Sequence, residues 1–332
     1  MESIMKIFGT SDLHLDGNRL PRVESPGRPV VERLVDFANH QDDILLLAGD
    51  TCEVRSLRPS QIHIGEVDDN GVQKDVRVAS KTLRDLEDIC KAFKFVYAVM
   101  GNHEFYSNVF DDTLEEYRDL TKHIPNFRVL ENEVVEVEGV KIIASTLWTD
   151  FNGYDFHTMM TAKQNMNDYH VIQKSRVFDD QPQRLQPEEI GKVHFASRQF
   201  VFDELKKIGE DEIVVVMTHH APIVAHANPQ RYGSNVLDYA YACTDMEKTL
   251  LDHDKDVAIW FHGHTHDWKL SNVGDTIVAT FARGYDDKSF KPQMLIDTLV
   301  DPVERENIPL DRRAETFKGS EKQYSKMGGD YF

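Results

Sequence analysis

Residues 257–267, VAIWFHGHTHD, combine two features that recur along this chain. The first five residues form an apolar run that favours a buried β-strand. Three histidines follow at alternate positions, His262, His264 and His266, with Gly263 between the first two. A strand that simply ends does not need imidazoles in this spacing in order to pack. The stretch therefore predicts a strand whose end carries functional side chains.

Four earlier stretches repeat this pattern of an apolar run followed by polar side chains. The polar clusters are SDLH at 11–14, GD at 49–50, GNHE at 101–104 and THH at 218–220. Ligands of open α/β sheets bind beyond the carboxyl ends of the strands. We therefore expect the clusters to converge on one site.

The spacing of apolar residues predicts an α/β fold with a sheet core. Helical periodicity is present in residues 30–38, 83–93 and 114–120. The predicted strands are 4–10, 44–48, 95–100, 134–137, 140–145, 213–217, 257–261, 277–281 and 294–296. Most of them are continuously apolar, which indicates that both faces of the sheet are covered.

The chain is expected to form one domain, residues 1–300, followed by a polar C-terminal tail, 301–332. Residues 52–80 interrupt the alternation of strands and helices. They are interpreted as a loop insertion that carries a hairpin around Asn70 and Gly71. Residues 156–208 are predicted to be mostly helical.

The composition disfavours a nucleic-acid binder, a membrane protein and a secreted protein. The 332 residues carry a net charge of −19, whereas passive nucleic-acid binders usually present a basic surface. No stretch approaches the roughly 18 consecutive apolar residues of a membrane helix, and the N-terminus lacks the apolar region of a signal peptide. The three cysteines, Cys52, Cys90 and Cys243, form no C-x-x-C pair, so a reducing cytoplasm is the expected location.

The polar clusters contain enough donors for two metal ions. The candidate ligands are Asp12, His14, Asp50, Asn102, His219, His264 and His266. One zinc ion takes about four ligands, so this set suits two metals that share a carboxylate. Carboxylate, imidazole and amide donors match manganese, iron, zinc, cobalt or nickel. We attribute the D-x-H and H-x-H spacings to an extended backbone, in which residues i and i+2 project to the same side. The glycines before Asp50, Asn102 and His264 would let the backbone approach the metals closely.

The ordered set of motifs, each placed after a strand, resembles the calcineurin-like metallophosphoesterases. The resemblance extends from about residue 5 to residue 285, and it implies a four-layer α/β/β/α sandwich with a dinuclear metal site at the carboxyl ends of the strands. The implied ligands are, for one metal, Asp12, His14 and His266, and, for the other, Asn102, His219 and His264. Asp50 would bridge the metals, and His103 would be the catalytic histidine. Manganese is the metal expected first, with iron, zinc, nickel or cobalt as alternatives.

Further motifs narrow the resemblance to stand-alone bacterial and phage phosphoesterases. These motifs are GNHEFY, TLWTDF, MNDYH, THHAP and HGHTHD. They include the helical middle of the chain, which then belongs to the same domain. Protein serine/threonine phosphatases carry a G-D-x-V-D-R-G block where this chain has GDTCEVR at 49–55. Glu53 and Val54 replace an aspartate and the phosphate-binding arginine, which argues against a protein phosphatase.

The resemblance implies a phosphodiesterase or phosphatase in which a metal-bridging hydroxide attacks phosphorus in line. His220, Arg283 and Tyr106 are candidates for contacts with the phosphoester substrate, which is expected to be a small molecule. Adjacent residues of a strand face opposite ways, so spacing alone leaves both His219 and His220 open as the ligand. The resemblance favours His219.

Two alternatives use the same fold. A metal-dependent nuclease would share the ligand set, although the acidic net charge disfavours it. A non-catalytic scaffold would be expected to have lost some ligands, whereas every implied position is filled here. A membrane partner is not expected, and the oligomeric state is left open.

Overall fold

The computed structural model describes residues 6–17, 27–37, 42–67, 73–175, 183–209, 212–227, 236–253, 256–283 and 293–297. Residues Met5–Ile296 form one compact unit. The predicted polar tail, 301–332, lies outside the described residues. The division into a domain of 1–300 and a tail therefore stays a prediction.

The strands are numbered here in chain order. Their bounds are β1 Lys6–Thr10, β2 Ile44–Leu47, β3 Ser60–Val67, β4 Gln73–Val78, β5 Phe95–Val99, β6 Phe127–Leu130, β7 Glu133–Val137, β8 Val140–Ser145, β9 Gln173–Ser175, β10 Gln183–Arg184, β11 Ile213–Thr218, β12 Val257–His262, β13 Trp268–Val273, β14 Thr276–Phe281 and β15 Gln293–Asp297. Each apolar run proposed from the sequence corresponds to one of these strands. The short strands β6 and β13, together with the pair β9–β10, were not foreseen.

The helices are numbered in the same way. Their bounds are α1 Gly27–Phe37, α2 Lys81–Ala92, α3 Phe110–Thr121, α4 Phe151–Tyr154, α5 Phe156–Asn165, α6 Asp168–Val171, α7 Pro187–Leu205, α8 Asp238–Tyr241 and α9 Glu247–Asp252. Pro187 stands in the first turn of α7. Backbone N–H groups in the first turn make no hydrogen bond within the helix, so a proline there costs none. The middle of the chain is thus mostly helical, with β9 and β10 between α6 and α7.

Two sheets form the core. The first has the order β15-β1-β2-β5-β6, and its pairs β1–β2, β2–β5 and β5–β6 are parallel. The second has the order β13-β14-β12-β11-β8-β7. Its central strands are parallel, while β7 and β13 pair antiparallel at the edges. The expected α/β fold is confirmed.

Alternation along the strands explains how both sheets are covered. Leu45 and Leu47 of β2 pack in one apolar cluster with residues of α1 and α2. Val214 and Val216 of β11 pack in another cluster with residues of α7. Because successive side chains of a strand point to opposite faces, the intervening buried Leu46 points away from the helices. Helices therefore lie on one face of each sheet, which leaves the opposite faces to pack in the interior.

The two sheets meet beside the ends of β1 and β14. Ser11 forms a parallel bridge with Ala282, and the Thr10 hydroxyl donates to the Phe281 carbonyl over 3.3 Å. The Arg283 N–H donates to the Ser11 carbonyl over 3.0 Å. These bonds bring the carboxyl ends of parallel strands from both sheets to the same side of the molecule.

Residues 52–80 contain more structure than a loop. A 3-10 helix spans Val54–Leu57, and Val54 and Leu57 are fully buried. Strands β3 and β4 pair antiparallel, while Asn70 and Gly71, the proposed turn, lie outside the described residues. The start of this segment therefore contributes to the core.

Within the described ranges, no helix combines the length and the apolarity needed to cross a bilayer.

Replacing Leu46 by alanine should lower the free energy of unfolding by about 2–5 kcal/mol, because a fully buried side chain is lost from the interior. Urea unfolding of chelator-treated protein measures the change. Lys122→Ala is the control, since the Lys122 side chain is 71% exposed and surface changes usually stay within about 0.5 kcal/mol. Equal unfolding midpoints for Leu46→Ala and the unchanged protein would contradict the assigned core.

Candidate metal centre

The strand ends bring the sequence-predicted ligands into two adjacent groups. One group contains Asp12, His14, Asp50 and His266, and the other contains Asp50, His219 and His264. Within each group, one donor atom from each residue lies within 4.8 Å of the others. Asp50 belongs to both groups. This is the arrangement expected of a site for two ions that share one carboxylate.

Left-handed backbone conformations place several of these side chains. The residues concerned are Asp12 (φ 58°), His14 (φ 45°), Asp50 (φ 52°), His264 (φ 70°) and His266 (φ 49°). Positive φ is uncommon outside glycine, costs about 1–3 kcal/mol when strained, and concentrates at functional sites. The explanation of the D-x-H and H-x-H spacings by an extended chain is therefore wrong. The alternate residues come together because both adopt left-handed turns beyond the strand.

The hydrogen bonds of His219 determine which ring nitrogen is available to a cation. Nδ1 lies 2.8 Å from the Ala48 carbonyl oxygen, so Nδ1 carries the proton. Burial lowers the pKa of His219 to about 4, which leaves the ring neutral at pH 7 with a lone pair on Nε2. Histidines that bind metals commonly have the second nitrogen fixed by a carbonyl or carboxylate in this way.

Two side-chain oxygens and another imidazole nitrogen lie around that lone pair. His219 Nε2 lies 3.1 Å from Asn102 Oδ1, 3.1 Å from His264 Nδ1 and 3.4 Å from Asp50 Oδ1. No proton is available between His219 Nε2 and Asn102 Oδ1, because both atoms are acceptors. Asn102 was not part of the carboxylate and imidazole groups above, and its oxygen joins the second group. A cation would satisfy this set of acceptors.

Asp50 gives a second indication that a cation belongs here. Its Oδ1 accepts the His103 N–H over 2.9 Å, whereas the buried Oδ2 has no hydrogen-bond partner within the described part of the chain. Oδ2 lies 3.9 Å from Nε2 of His14 and 3.9 Å from Nε2 of His103. Burial, followed by the nearby Glu104, raises the pKa of Asp50 well above its usual value. A buried carboxylate is costly without a compensating positive charge, so the site fits divalent ions.

Burial keeps the other imidazoles in the form that binds metals. The pKa of His14 is lowered to about 3, mainly by burial and then by the neighbouring His266. The pKa of His264 is lowered well below its ordinary value, again chiefly by burial. Because only a neutral imidazole has a lone pair to donate, these rings are ready to bind a cation at pH 7.

His103 lies beside the two groups at the more open side of the site. Its side chain is 16% exposed, against 1% for that of Asp50. The ring packs edge-on to His14 at 4.5 Å and stacks on Tyr106 at 4.1 Å. Its position allows contact with a bound molecule, and its orientation is set by two neighbouring rings.

The three candidate substrate contacts are less exposed than His103. His220 is buried, and its ring lies 4.2 Å from that of His264 and 5.0 Å from that of Trp148. Arg283 is 3% exposed and donates to the Leu13 carbonyl oxygen. Tyr106 is also buried. Their roles in binding a substrate stay predictions.

Other buried histidines are engaged by hydrogen bonds outside the two groups. His262 Nδ1 lies 2.9 Å from the Gly263 carbonyl, and its Nε2 lies 2.8 Å from His226 Nδ1. His194 contacts the Leu147 carbonyl through Nδ1 and Asp245 through Nε2. His262 therefore supports the turn that precedes His264 without joining either group.

Glu104 ties together two of the loops that carry ligands. Its buried carboxylate accepts the backbone N–H groups of Asp50 (3.0 Å), Thr51 (2.7 Å) and Gly101 (2.7 Å). Burial raises the pKa of Glu104 to about 7, against the lowering effect of these hydrogen bonds. From the sequence, Glu104 is expected to orient a neighbouring residue, but its partners after β2 were not apparent.

Two glycines allow the close backbone approach that the sequence predicted. A Cβ on Gly49, which has φ +83°, would lie 2.4 Å from His219 Nδ1. A Cβ on Gly101 would lie 2.2 Å from Asp50 Oδ1. Both distances are far below contact distance, so no side chain fits at these positions.

Comparison with known proteins agrees with this geometry. The family model described as calcineurin-like phosphoesterase matches residues 5–268. The chain therefore belongs to the calcineurin-like phosphoesterase family, and it is a phosphoester hydrolase of that metal-dependent family. The resemblance inferred from the motifs is confirmed at this level.

Two individual proteins are similar over most of the chain. "Uncharacterized protein L509" of Acanthamoeba polyphaga mimivirus is 24% identical over 301 residues, which cover 86% of this chain and 94% of that protein. The crystal structure of phosphopantetheinyl hydrolase (PptH) from Mycobacterium tuberculosis has a TM-score of 0.58 and 13% identity, and covers 86% of this chain and 91% of its own. At this identity, the second likeness concerns the fold alone.

Gly101→Ala should lower the affinity for Mn²⁺ at least about tenfold, because the new Cβ displaces the Asp50 carboxylate shared by both groups. Equilibrium dialysis followed by metal analysis measures this affinity. Gly209→Ala is the matched control, since its nearest Cβ neighbour would be 3.9 Å away. Unchanged Mn²⁺ binding by Gly101→Ala would contradict the prediction that metal binding depends on this packing of Asp50 against Gly101.

Proposed function

We propose that this protein is a dinuclear metal-dependent hydrolase of small phosphoesters. The observation that carries the proposal is the pair of donor groups that share Asp50. The proposed ligands are Asp12, His14 and His266 for one ion, Asn102, His219 and His264 for the other, and Asp50 for both. Manganese is the proposed metal, because oxygen and imidazole donors suit it, and iron, zinc, nickel and cobalt are alternatives.

Two divalent ions held by these residues would supply Lewis acidity, which lowers the pKa of water and neutralises charge on phosphoryl oxygens. The chain's own contribution is to fix the ligands before substrate arrives. The left-handed turns and the buried Glu104 carboxylate support this role. Pre-organised ligands of this kind reduce the rearrangement that binding and reaction require.

His103 is the proposed general acid. Its ring is partly exposed, while its backbone N–H is anchored to Asp50 Oδ1 over 2.9 Å. A protonated His103 would donate to the leaving oxygen of the phosphoester, and proton transfer of this type typically contributes about 10²- to 10⁴-fold in rate. The packing of its ring between His14 and Tyr106 supports a fixed orientation for that transfer.

A small phosphoester is favoured over a phosphoprotein or a nucleic acid. The position that carries the phosphate-binding arginine in protein serine/threonine phosphatases is Val54, which is fully buried in the core. The net charge of −19 disfavours a nucleic-acid substrate, since proteins that bind nucleic acids usually carry a basic patch. Small phosphoesters do not require an extended basic contact surface, so the proposed substrate matches both features.

His103→Ala should lower kcat by about 10²- to 10⁴-fold and leave the bound metal close to that of the unchanged protein, because His103 is proposed to transfer a proton and not to bind metal. Steady-state kinetics and metal analysis test this together. Asp50→Ala is the contrasting variant, and it should lose both activity and metal at both positions. Loss of metal in His103→Ala would make His103 a ligand or a structural residue instead.

Hydrolysis should depend on manganese and stop when a chelator removes it. The assay compares bis-p-nitrophenyl phosphate with p-nitrophenyl phosphate, with and without Mn²⁺, and includes single-stranded DNA as a third substrate. Preference for one of the two small esters would define a diesterase or a monoesterase. Faster cleavage of DNA would favour a nuclease, and inertness of the metal-loaded protein towards all three would refute the proposal.

A further inference from the structure

The side-chain amide of Asn102 has two ends, and only one of them suits the metal centre. Its oxygen faces His219 Nε2 at 3.1 Å. Its Nδ2 points the opposite way, where it donates to Asp168 Oδ1 over 2.9 Å and to Tyr106 Oη over 3.2 Å. The Tyr106 hydroxyl itself donates to Asp168 Oδ1 over 2.5 Å. The three side chains therefore form a closed ring of hydrogen bonds.

The three hydrogen-bonded side chains are buried, so water does not replace them as hydrogen-bond partners of one another. Asp168 is 1% exposed, Tyr106 2% and Asn102 3%. A carboxyl oxygen has two lone pairs, and Asp168 Oδ1 accepts from both neighbours at once. Asp168 thus determines the orientation of both Tyr106 and Asn102.

The opposite orientation of the Asn102 amide would remove donor atoms from the second donor group. If the amide turned over, Nδ2 would face His219 Nε2, whose lone pair is free to accept because Nδ1 donates to the Ala48 carbonyl. That hydrogen bond would occupy a lone pair proposed for the metal and would remove the Asn102 oxygen from it. Without Asp168, the metal-free protein would gain a hydrogen bond by making this turn.

We propose that Asp168 is a positioning residue that holds the Asn102 oxygen towards the second donor group and, through Tyr106, steadies the His103 ring. This inference rests on the proposed function, since it assumes that the second group binds a metal. It adds a residue from α6, 66 positions after Asn102 in the chain, to those on which the site depends. Tyr106 stacks on His103 at 4.1 Å, so one carboxylate orients a metal ligand and the proposed general acid together.

The test is a Mn²⁺ titration of the full-length protein by isothermal titration calorimetry, without substrate. Asp168→Ala should weaken one of the two Mn²⁺ sites about 10- to 100-fold, in line with other residues that orient metal ligands, and leave the other within about twofold. Asp168→Asn should recover part of the affinity because its amide oxygen still accepts. Tyr106→Phe should show a smaller loss of Mn²⁺ affinity, since it removes one hydrogen-bond acceptor and keeps the aromatic ring.

Electron paramagnetic resonance separates a positioning role from general damage. In the Asp168 variants at limiting Mn²⁺, the signal of an exchange-coupled pair should give way to that of isolated ions. Asp43→Ala is the matched control, because Asp43 is an equally buried aspartate that accepts the Lys6 N–H at the start of β1. It should lower the unfolding midpoint and keep both Mn²⁺ sites.

These measurements distinguish failure of the proposed function from failure of the positioning role alone. If the unchanged protein binds no Mn²⁺ pair, the proposed function fails and the role of Asp168 fails with it. If the unchanged protein binds two ions, and the folded Asp168→Ala binds both with the same affinity, only the positioning role is overturned. If Asp168→Ala does not fold, unchanged affinities in both Asp168→Asn and Tyr106→Phe overturn it equally.

Discussion

A carboxylate buried between two sets of imidazoles is the constraint on which this structure depends. Asp50 is 1% exposed, and one of its oxygens lacks a hydrogen-bond partner among the described residues. The other carboxylates nearby, Glu104 and Asp12, raise its pKa further. Such a cluster can keep its negative charge in a protein interior only with a compensating cation, because without one its carboxyl groups take up protons. The buried carboxylates therefore support a role of the surrounding residues in binding metal ions.

Holding the ligands in this arrangement requires strained backbone, and the loops beyond the strands support one another. The Asp12 N–H donates to the Gly49 carbonyl over 3.0 Å, and the His14 N–H donates to the Asp50 carbonyl over 3.0 Å. The left-handed residues are thus fixed by hydrogen bonds between neighbouring loops. Strain of this kind persists only where the surroundings determine the conformation, and the rigid parallel strands below the loops provide that support.

The sequence predicted the strands and the polar loops that follow them well, because both have local signals. Continuous apolar runs such as 213–217 are visible without a structure, and a polar residue directly after each run marks the end of a strand. The edge strand β13 was missed because Trp268–Val273 contains lysine, serine and asparagine among its apolar residues. The backbone conformation of the D-x-H and H-x-H turns was inferred wrongly, because spacing alone does not distinguish an extended chain from paired left-handed residues.

The contacts of two carboxylates that support the site, Glu104 and Asp168, could not be predicted from the sequence. Glu104 contacts residues that are more than fifty positions earlier in the chain, and Asp168 contacts Asn102 across 66 positions. Neither contact follows from periodicity, and the motif MNDYH, which contains Asp168, indicated only that the helical middle belongs to the same domain as the strands. The structure brings α6 against the loop after β5, so the helical middle completes the surroundings of a proposed metal ligand. A change in that segment can therefore alter the metal centre without touching any residue proposed to bind a metal.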